Sequence, residues 1–514
     1  MTAYTKIKLV GKIYREGKLL KREQIEEKLC SLAKDDTNLA LEARKWTGNF
    51  SITFETPDTL YAIVDQKRSF PILVNFEKCE IHSQRITKEN LRSFEIDYEQ
   101  FKSFYFSGYT LGDRTMAKNI LSIPAGHIYI INKKTKKIKR KKYFSFFPSN
   151  KNRSDEQLDD YLHKFDRCYR QVFGQLIENA NGRPIVIPLS AGYDSRLVLL
   201  YLKKLKYDNI QTFSYGNRDF WELDFAKRVA EKSKVRWYRY TCTPSDRRLF
   251  YQPSVQNFYW ASFNLEQVPQ MNDYYAIDHL ITSRVISRDS VIVNGQSGDF
   301  IDGGHLPDYS FTTGRTQDLM QAIKVKHFSL WKCFGDSKIE TSFLKKQLEI
   351  FVDELSSHIR KNPNGFYEQF EYLHRQTKFV VNGQRVYDHF KLDWELPFWD
   401  PKIMEFWMDV PIDLRFDRRL TKYVAQKLDM NGLFSIPTKP KAVWKHVPIL
   451  VRFLQYIDAK IDNKLEINER IANFYNTYSS LYPVVSFSEY RRISRGHKNS
   501  YSFHTDLICK EINK

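Results

Sequence analysis

Cysteine is scarce in this sequence, with six residues (Cys30, Cys79, Cys168, Cys242, Cys333 and Cys509) scattered over 514 positions and no Cys-x-x-Cys pair. That distribution excludes a zinc ribbon and a disulfide scaffold, and it suits a reducing, cytoplasmic compartment. Long apolar runs are missing as well. The start, Met-Thr-Ala-Tyr-Thr-Lys-Ile-Lys-Leu, lacks an apolar signal core, and nothing approaches the roughly 18 apolar residues of a membrane-spanning helix. Internal repeats and low-complexity segments are absent. No glycine-rich turn ends in Gly-Lys-Ser or Gly-Lys-Thr, so a Walker-type phosphate loop is excluded.

What is present describes a globular protein of two or three domains, with 42% hydrophobic and 15% aromatic residues. Lys and Arg number 81 against 61 Asp and Glu, a net charge of +20 that favours anionic partners such as nucleotides, acidic glycans or an anionic surface. The densest charge, Lys133 to Lys142, reads as a solvated hairpin tip rather than a nucleic-acid patch. No nucleic-acid partner is expected, and the charge does not choose among the other anions.

Residues 1 to about 145 read as strands and hairpins with one early helix. Gly48–Phe54 alternates at period two, Leu60–Val64 follows a Pro-Asp turn, and Ile72–Phe76 and His127–Ile131 continue the β character. Pro148 to Ser154 is polar and rich in breakers, as a linker is. Beyond it the rhythm changes. A helix from about Asp155 to Ala180 precedes strands at 185–189, 210–216, 235–240 and 290–294, with helical patterns between them. Strands alternating with helices predict βαβ units and a parallel sheet, and helical periodicity dominates from about 315 onward.

Two turns carry the candidate chemistry. Ile185-Val-Ile-Pro-Leu-Ser190-Ala-Gly192-Tyr-Asp194-Ser195 runs from a buried strand through small and hydroxyl residues into a helix. Such a turn presents backbone N–H groups and a helix dipole to an anion. Glycine at 192 suits close approach of backbone to a ligand, and Asp194 supplies a hard oxygen for phosphate-bound Mg²⁺. The second turn, Asn294-Gly295-Gln296-Ser297-Gly298-Asp299-Phe-Ile-Asp-Gly303-Gly304, follows another buried strand. Asp194 and Asp299 are therefore a candidate metal pair. Capping and Asx-turn chemistry are the plainer alternatives for each aspartate taken singly.

The first turn resembles the Ser-Gly-Gly-x-Asp-Ser pyrophosphate loop of ATP pyrophosphatases, with Ala191 for the first glycine. Together with the second turn the chain resembles asparagine synthetase B and its relatives, β-lactam synthetase and the lasso-peptide cyclases. Glu222–Ala226, Glu395–Asp400 and Lys439-Pro440-Lys441 echo further blocks of that family, and Gly48–Phe50 and Ile123–His127 resemble its glutaminase domain. The resemblance implies an α/β chain. A degenerate, β-rich glutaminase-like domain of the N-terminal-nucleophile kind (1–147) is expected, then a parallel-sheet ATP pyrophosphatase domain with a helical C-terminal part (155–514).

The same resemblance implies ATP and Mg²⁺, with Leu189, Ser190, Gly192, Asp194, Ser195, Ser214, Asn294 and Gly295 around the nucleotide and Asp194 and Asp299 on the metal. A carboxylate would be adenylated and then joined to ammonia or an amine. Lys441, with Lys439 and Lys445 as rivals, would neutralise the developing oxyanion. Gln296 stands where relatives carry a glutamate or tyrosine. A neutral amide orients but takes no proton at pH 7, so Asp393, then Glu395, becomes the expected base; an ion-paired structural role near Arg385 and Lys391 is the alternative. Thr2 replaces the family's cysteine nucleophile, implying a vestigial first domain and nitrogen from ammonia, a partner glutaminase or an amine. The block Leu392–Asp400 resembles synthetase-like proteins encoded with surface-polysaccharide genes, which implies a uronic acid as substrate. Asparagine formation, peptide or β-lactam ring closure, and RNA modification are the alternatives.

Overall fold

The computed structural model describes residues 6–33, 35–149, 158–216, 221–243, 246–307, 315–331, 341–349, 362–438, 449–461, 485–486 and 499–514. Its first part is antiparallel. Strands β1 (Lys6–Arg15), β2 (Lys18–Leu19), β3 (Trp46–Glu55), β4 (Thr59–Val64), β8 (His127–Asn132) and β9 (Ile138–Lys142) form one sheet, in the order β2-β1-β3-β4-β8-β9. A second sheet sets β5 (Leu73–Asn75) between β6 (Glu80–Ile81) and β7 (Ile120–Ser122). The period-two alternation of β4 serves both faces. Leu60, Ala62 and Val64 join Val74 of β5 in a small core, whereas Tyr61 and Ile63 enter the main one.

The basic run is the hairpin expected of it. Ile131 pairs with Ile138 across the turn, and Lys133 and Arg140 meet Glu55 and Asp113 at 2.7 and 2.9 Å. In place of one early helix the described residues hold three in this part: Arg22–Leu32, Asp36–Ala43 and Tyr98–Ser107. The last two start at single capping aspartates, Asp35 and Asp97, which accept from the leading N–H groups. One residue is a weak signal in sequence.

The second part is built on a parallel sheet. Strands β10 (Ile185–Pro188), β11 (Ile210–Gly216), β12 (Arg236–Thr241) and β13 (Val291–Val293) lie where the apolar runs place them. A fifth strand, β14 (Asp393–Glu395), pairs parallel with β13, Val291 opposite Asp393 and Val293 opposite Glu395. The sheet order is β12-β11-β10-β13-β14. The helix Leu158–Ala180 buries a stripe of Tyr161, Phe165, Tyr169, Phe173 and Leu176 at helical spacing, with Phe165 and Phe173 meeting Tyr201, Phe398, Phe406 and Trp407. The hydrophobic core runs without a break from the first part into the second. No described helix is long and apolar enough to cross a membrane.

Candidate nucleotide and ligase site

Strand order reverses between β10 and β13, and in a parallel sheet the crevice at such a point opens beyond the C-terminal strand ends. Both glycine-bearing turns lie there. The first is clasped by its own serines: Ser190 N–H donates to Ser195 Oγ at 3.1 Å, and Gly192 N–H to Ser190 Oγ at 3.1 Å. Gly192 is the N-cap of the helix Tyr193–Lys204 and brings no side chain to that helix's leading N–H groups. Those groups are the receptor an anion needs. Glu222, from the helix Trp221–Lys232, braces the turn by accepting from Ala191 N–H at 3.2 Å.

The second turn folds on itself through Asn294, whose Oδ1 accepts from Gln296 N–H at 3.0 Å. Ser297 follows at φ +68°, a costly conformation for a non-glycine residue, and its Oγ donates to Gln376 Oε1 at 2.8 Å. The two turns touch. A Cβ on Gly295 would lie 2.8 Å from the carbonyl carbon of Asp194, and one on Gly298 2.8 Å from its Cγ. At Gly192 a Cβ would meet only Ser190 Oγ, at 3.2 Å. The fold's own steric demand for glycine therefore falls on the second turn more than the first.

Asp194 and Asp299 adjoin, the N–H of Asp299 donating to Asp194 Oδ2 at 3.2 Å. Arg418 reaches in from 224 residues away to hold Asp194 Oδ1, and it pairs with Asp302 at 2.7 Å. Burial pushes the Asp194 carboxyl above its usual range despite Arg418, and burial lifts Asp302 to about 7. On the far side His305 bridges Asp299 (3.1 Å) and the buried Glu371 (2.5 Å). Burial opposes charge on both members of the Asp299–His305 pair. Their mutual attraction and Glu371 win, carrying Asp299 down to about 2 and His305 up to about 9.

A cleft of about 250 Å³ opens over the two turns, lined by Ser190, Asp194, Ser195, Asn294, Gly295 and Gln296. Tyr215, Gln270, Asn272, Asp273, Gly383 and Gln384 also line it. Gln384 Nε2 donates to Gln296 Oε1 at 2.6 Å. Leu189 and Ser214 stand behind the lining as a brace: Ser214 Oγ donates to the Leu189 carbonyl at 2.6 Å and accepts from Trp237 Nε1 at 2.9 Å.

Asp393 is not in this cleft. It begins the parallel strand β14, at the end away from the turns, and its carboxylate pairs with Lys12 and Arg183, both at 2.7 Å. The ion-paired alternative holds for it, with partners other than Arg385 and Lys391. Asp393 and Glu395 both line a second cleft beside β1, where burial pushes the Glu395 carboxyl to about 7. The Pro397-Phe398 stretch of the block Glu395–Asp400 (the Pro-Phe block) is support: Phe398 packs against Gly298, and Asp400 caps the helix Pro401–Asp409. Lys441, Lys439, Lys445 and Thr2 lie outside the described residues. Sequence reasoning missed Arg418, His305, Glu371, Asp302, Asp273, Tyr387 and Gln384. Asp302 lies inside the second turn and His305 directly after it, within the same local pattern; the others come from distant parts of the chain, and the fold alone gathers them.

The two turns thus make one anion-binding corner at the C-terminal strand ends of a parallel α/β sheet. Residues 178–430 match the model of the asparagine synthase family, and this stretch of the chain belongs to that asparagine synthetase-like family of ATP-dependent, amide-forming ligases. No curated protein matches the chain.

Asp194 and Asp299 are donors of the hard-oxygen kind that Mg²⁺ on a triphosphate takes from protein, and in this structure Arg418 and His305 hold their carboxylates. Among the described residues no group of three or more His, Cys, Asp or Glu could hold a metal. Phosphate and water would supply the rest of the shell.

Proposed function

We propose that this chain adenylates a substrate carboxylate with ATP, releasing pyrophosphate, and then joins the acyl group to ammonia or an amine, releasing AMP. The observation that carries the reading is the contact of the two turns, which sets the anion receptor of Ser190–Ser195 beside Asp194, Asp299 and Gly295. The N–H groups at the start of the helix Tyr193–Lys204 receive pyrophosphate. Mg²⁺ on Asp194 and Asp299 would neutralise phosphate charge. Arg418 fixes Asp194 in place, and His305 does the same for Asp299. Gln296, its Oε1 engaged by Gln384, offers amide N–H groups that orient the acyl oxygen. Lys441 is the proposed charge for the tetrahedral step, where preorganised charge contributes most.

With Thr2 in place of the cysteine nucleophile, the first part of the chain is a vestigial glutaminase-like domain, and nitrogen comes from ammonia, a separate glutaminase or an amine. The enzyme works in the cytoplasm, and its acid is a uronic acid of a sugar nucleotide or glycan. That substrate agrees with the +20 charge and with the block Leu392–Asp400. The test is pyrophosphate release across a panel of carboxylic acids, including uronic acids and aspartate, each supplied with ammonia, with amines and with glutamine. The reading expects AMP and pyrophosphate in equal amounts with one class of acid and no use of glutamine. Formation of ADP and phosphate rejects it.

A further inference from the structure

Part of the cleft lining is acidic where the phosphate turn offers N–H donors. Asp273, at the head of the helix Tyr274–Thr282, turns a carboxylate into the cleft. The phenols of Tyr215 and Tyr387 both donate to it, and no Lys or Arg pairs with it among the described residues. Tyr387 also accepts from Asn294 at 3.4 Å, which ties this part of the lining to the second turn. Beside it Gln384 is buried to 1% exposure. Its Nε2 serves Gln296, while its Oε1 has no donor among the described residues.

A buried acceptor without a donor is costly, and burial raises the Asp273 carboxyl above its usual range against the two phenol hydrogen bonds that favour its charged form, so its charge lacks a cationic partner. The Asp273 deficit is met by a ligand group that donates hydrogen bonds and carries positive charge, and Gln384 lines the same cleft. Phosphate is excluded from this part of the lining by repulsion. We infer that Asp273, with Tyr215, Tyr387 and Gln384, is the receptor for the protonated amino group of an organic amine, which enters as the ligase's second substrate. The exocyclic amino group of adenine shares the donor chemistry but lacks the charge, so it leaves the Asp273 carboxylate uncompensated. The assignment of the amine as second substrate rests on the adenylating reading; the receptor itself does not.

The test titrates the full-length protein with ethanolamine, with ammonium chloride and with ethylene glycol, the neutral isostere of ethanolamine. Ligand-observed NMR follows each titration, with and without Mg²⁺ and α,β-methylene-ATP. Wild type is expected to bind ethanolamine about tenfold or more tightly than ethylene glycol, and more tightly than ammonium. Asp273→Asn, checked for an unchanged melting profile, is expected to lose that preference while its affinity for the nucleotide analogue moves by less than about twofold. Equal binding of ethanolamine and ethylene glycol by wild type overturns the inference and needs no variant. So does a loss of nucleotide affinity in Asp273→Asn as large as its loss for the amine, which assigns Asp273 to adenine. Failure of wild type to bind the nucleotide analogue while still preferring ethanolamine would instead reject the ligase reading and leave the receptor standing.

Discussion

At Gly295 a single methyl group decides whether the two turns can meet. It would stand 2.8 Å from the Asp194 carbonyl carbon and 2.9 Å from the Ser195 N, and backbone cannot swing aside as a side-chain tip can. Gly295→Ala should therefore cost about 1–3 kcal/mol in urea denaturation and abolish pyrophosphate release, whereas Gly192→Ala, whose methyl meets only a hydroxyl, should leave stability nearly unchanged. Residues of this kind were legible: a strand, a small-residue turn and an aspartate form a local signal. The partners were not. Arg418 completes Asp194 from a distant part of the chain and from a left-handed backbone conformation (φ +58°) that no sequence pattern announces, and His305 stands directly after the second turn, where the fold sets it beside Asp299. Asp393 was misplaced for a related reason. Its neighbourhood in sequence is that of the Pro-Phe block, but β14 carries it to the far end of the strand.

Among elements, the ten-residue π-helix Glu371–Val380 links the site to the rest of the fold. Its first residue, Glu371, holds His305; Gln376 holds Ser297; Lys378 lies against Glu266 at 3.6 Å. His305 titrates at about 9 in the folded state against about 6.5 in an unfolded chain. A raised basic pKa contributes stability that is whole below the unfolded value and is lost as pH rises through the folded one. Glu371, held below its usual range against the cost of burial chiefly by His305, contributes above about pH 4.5 and loses that contribution as pH falls. His305→Gln should thus be less stable than wild type by an amount of order 3 kcal/mol, widest near pH 5 to 6.5 and closing as pH passes about 9. Melting profiles across that range check it, and a gap independent of pH would contradict the ion-pair account. Strands β10, β11 and β13 were legible as apolar runs, and the β8–β9 hairpin as a β-rich stretch followed by a dense charge run. Three-residue β14 was not, because parallel pairing with β13 defines it more than its own composition does.

At the scale of the molecule, the two parts share a buried ion cluster: Arg68 from the antiparallel part pairs with Glu266, and Lys378 lies beside it, with all three side chains at most 1% exposed. Removing the one carboxylate leaves two buried cations, so Glu266→Gln should cost about 3–5 kcal/mol and lower the urea midpoint of the whole chain as one transition. Separate transitions for the two parts would show that the cluster does not join them. The central claim is that the two turns make one receptor for a magnesium nucleotide. Calorimetric titration of wild type and Asp194→Ala with α,β-methylene-ATP and Mg²⁺ tests it most directly. The account predicts one site in wild type and affinity weaker by about tenfold or more in the variant, roughly 1.4 kcal/mol; equal affinity in the two proteins would contradict it.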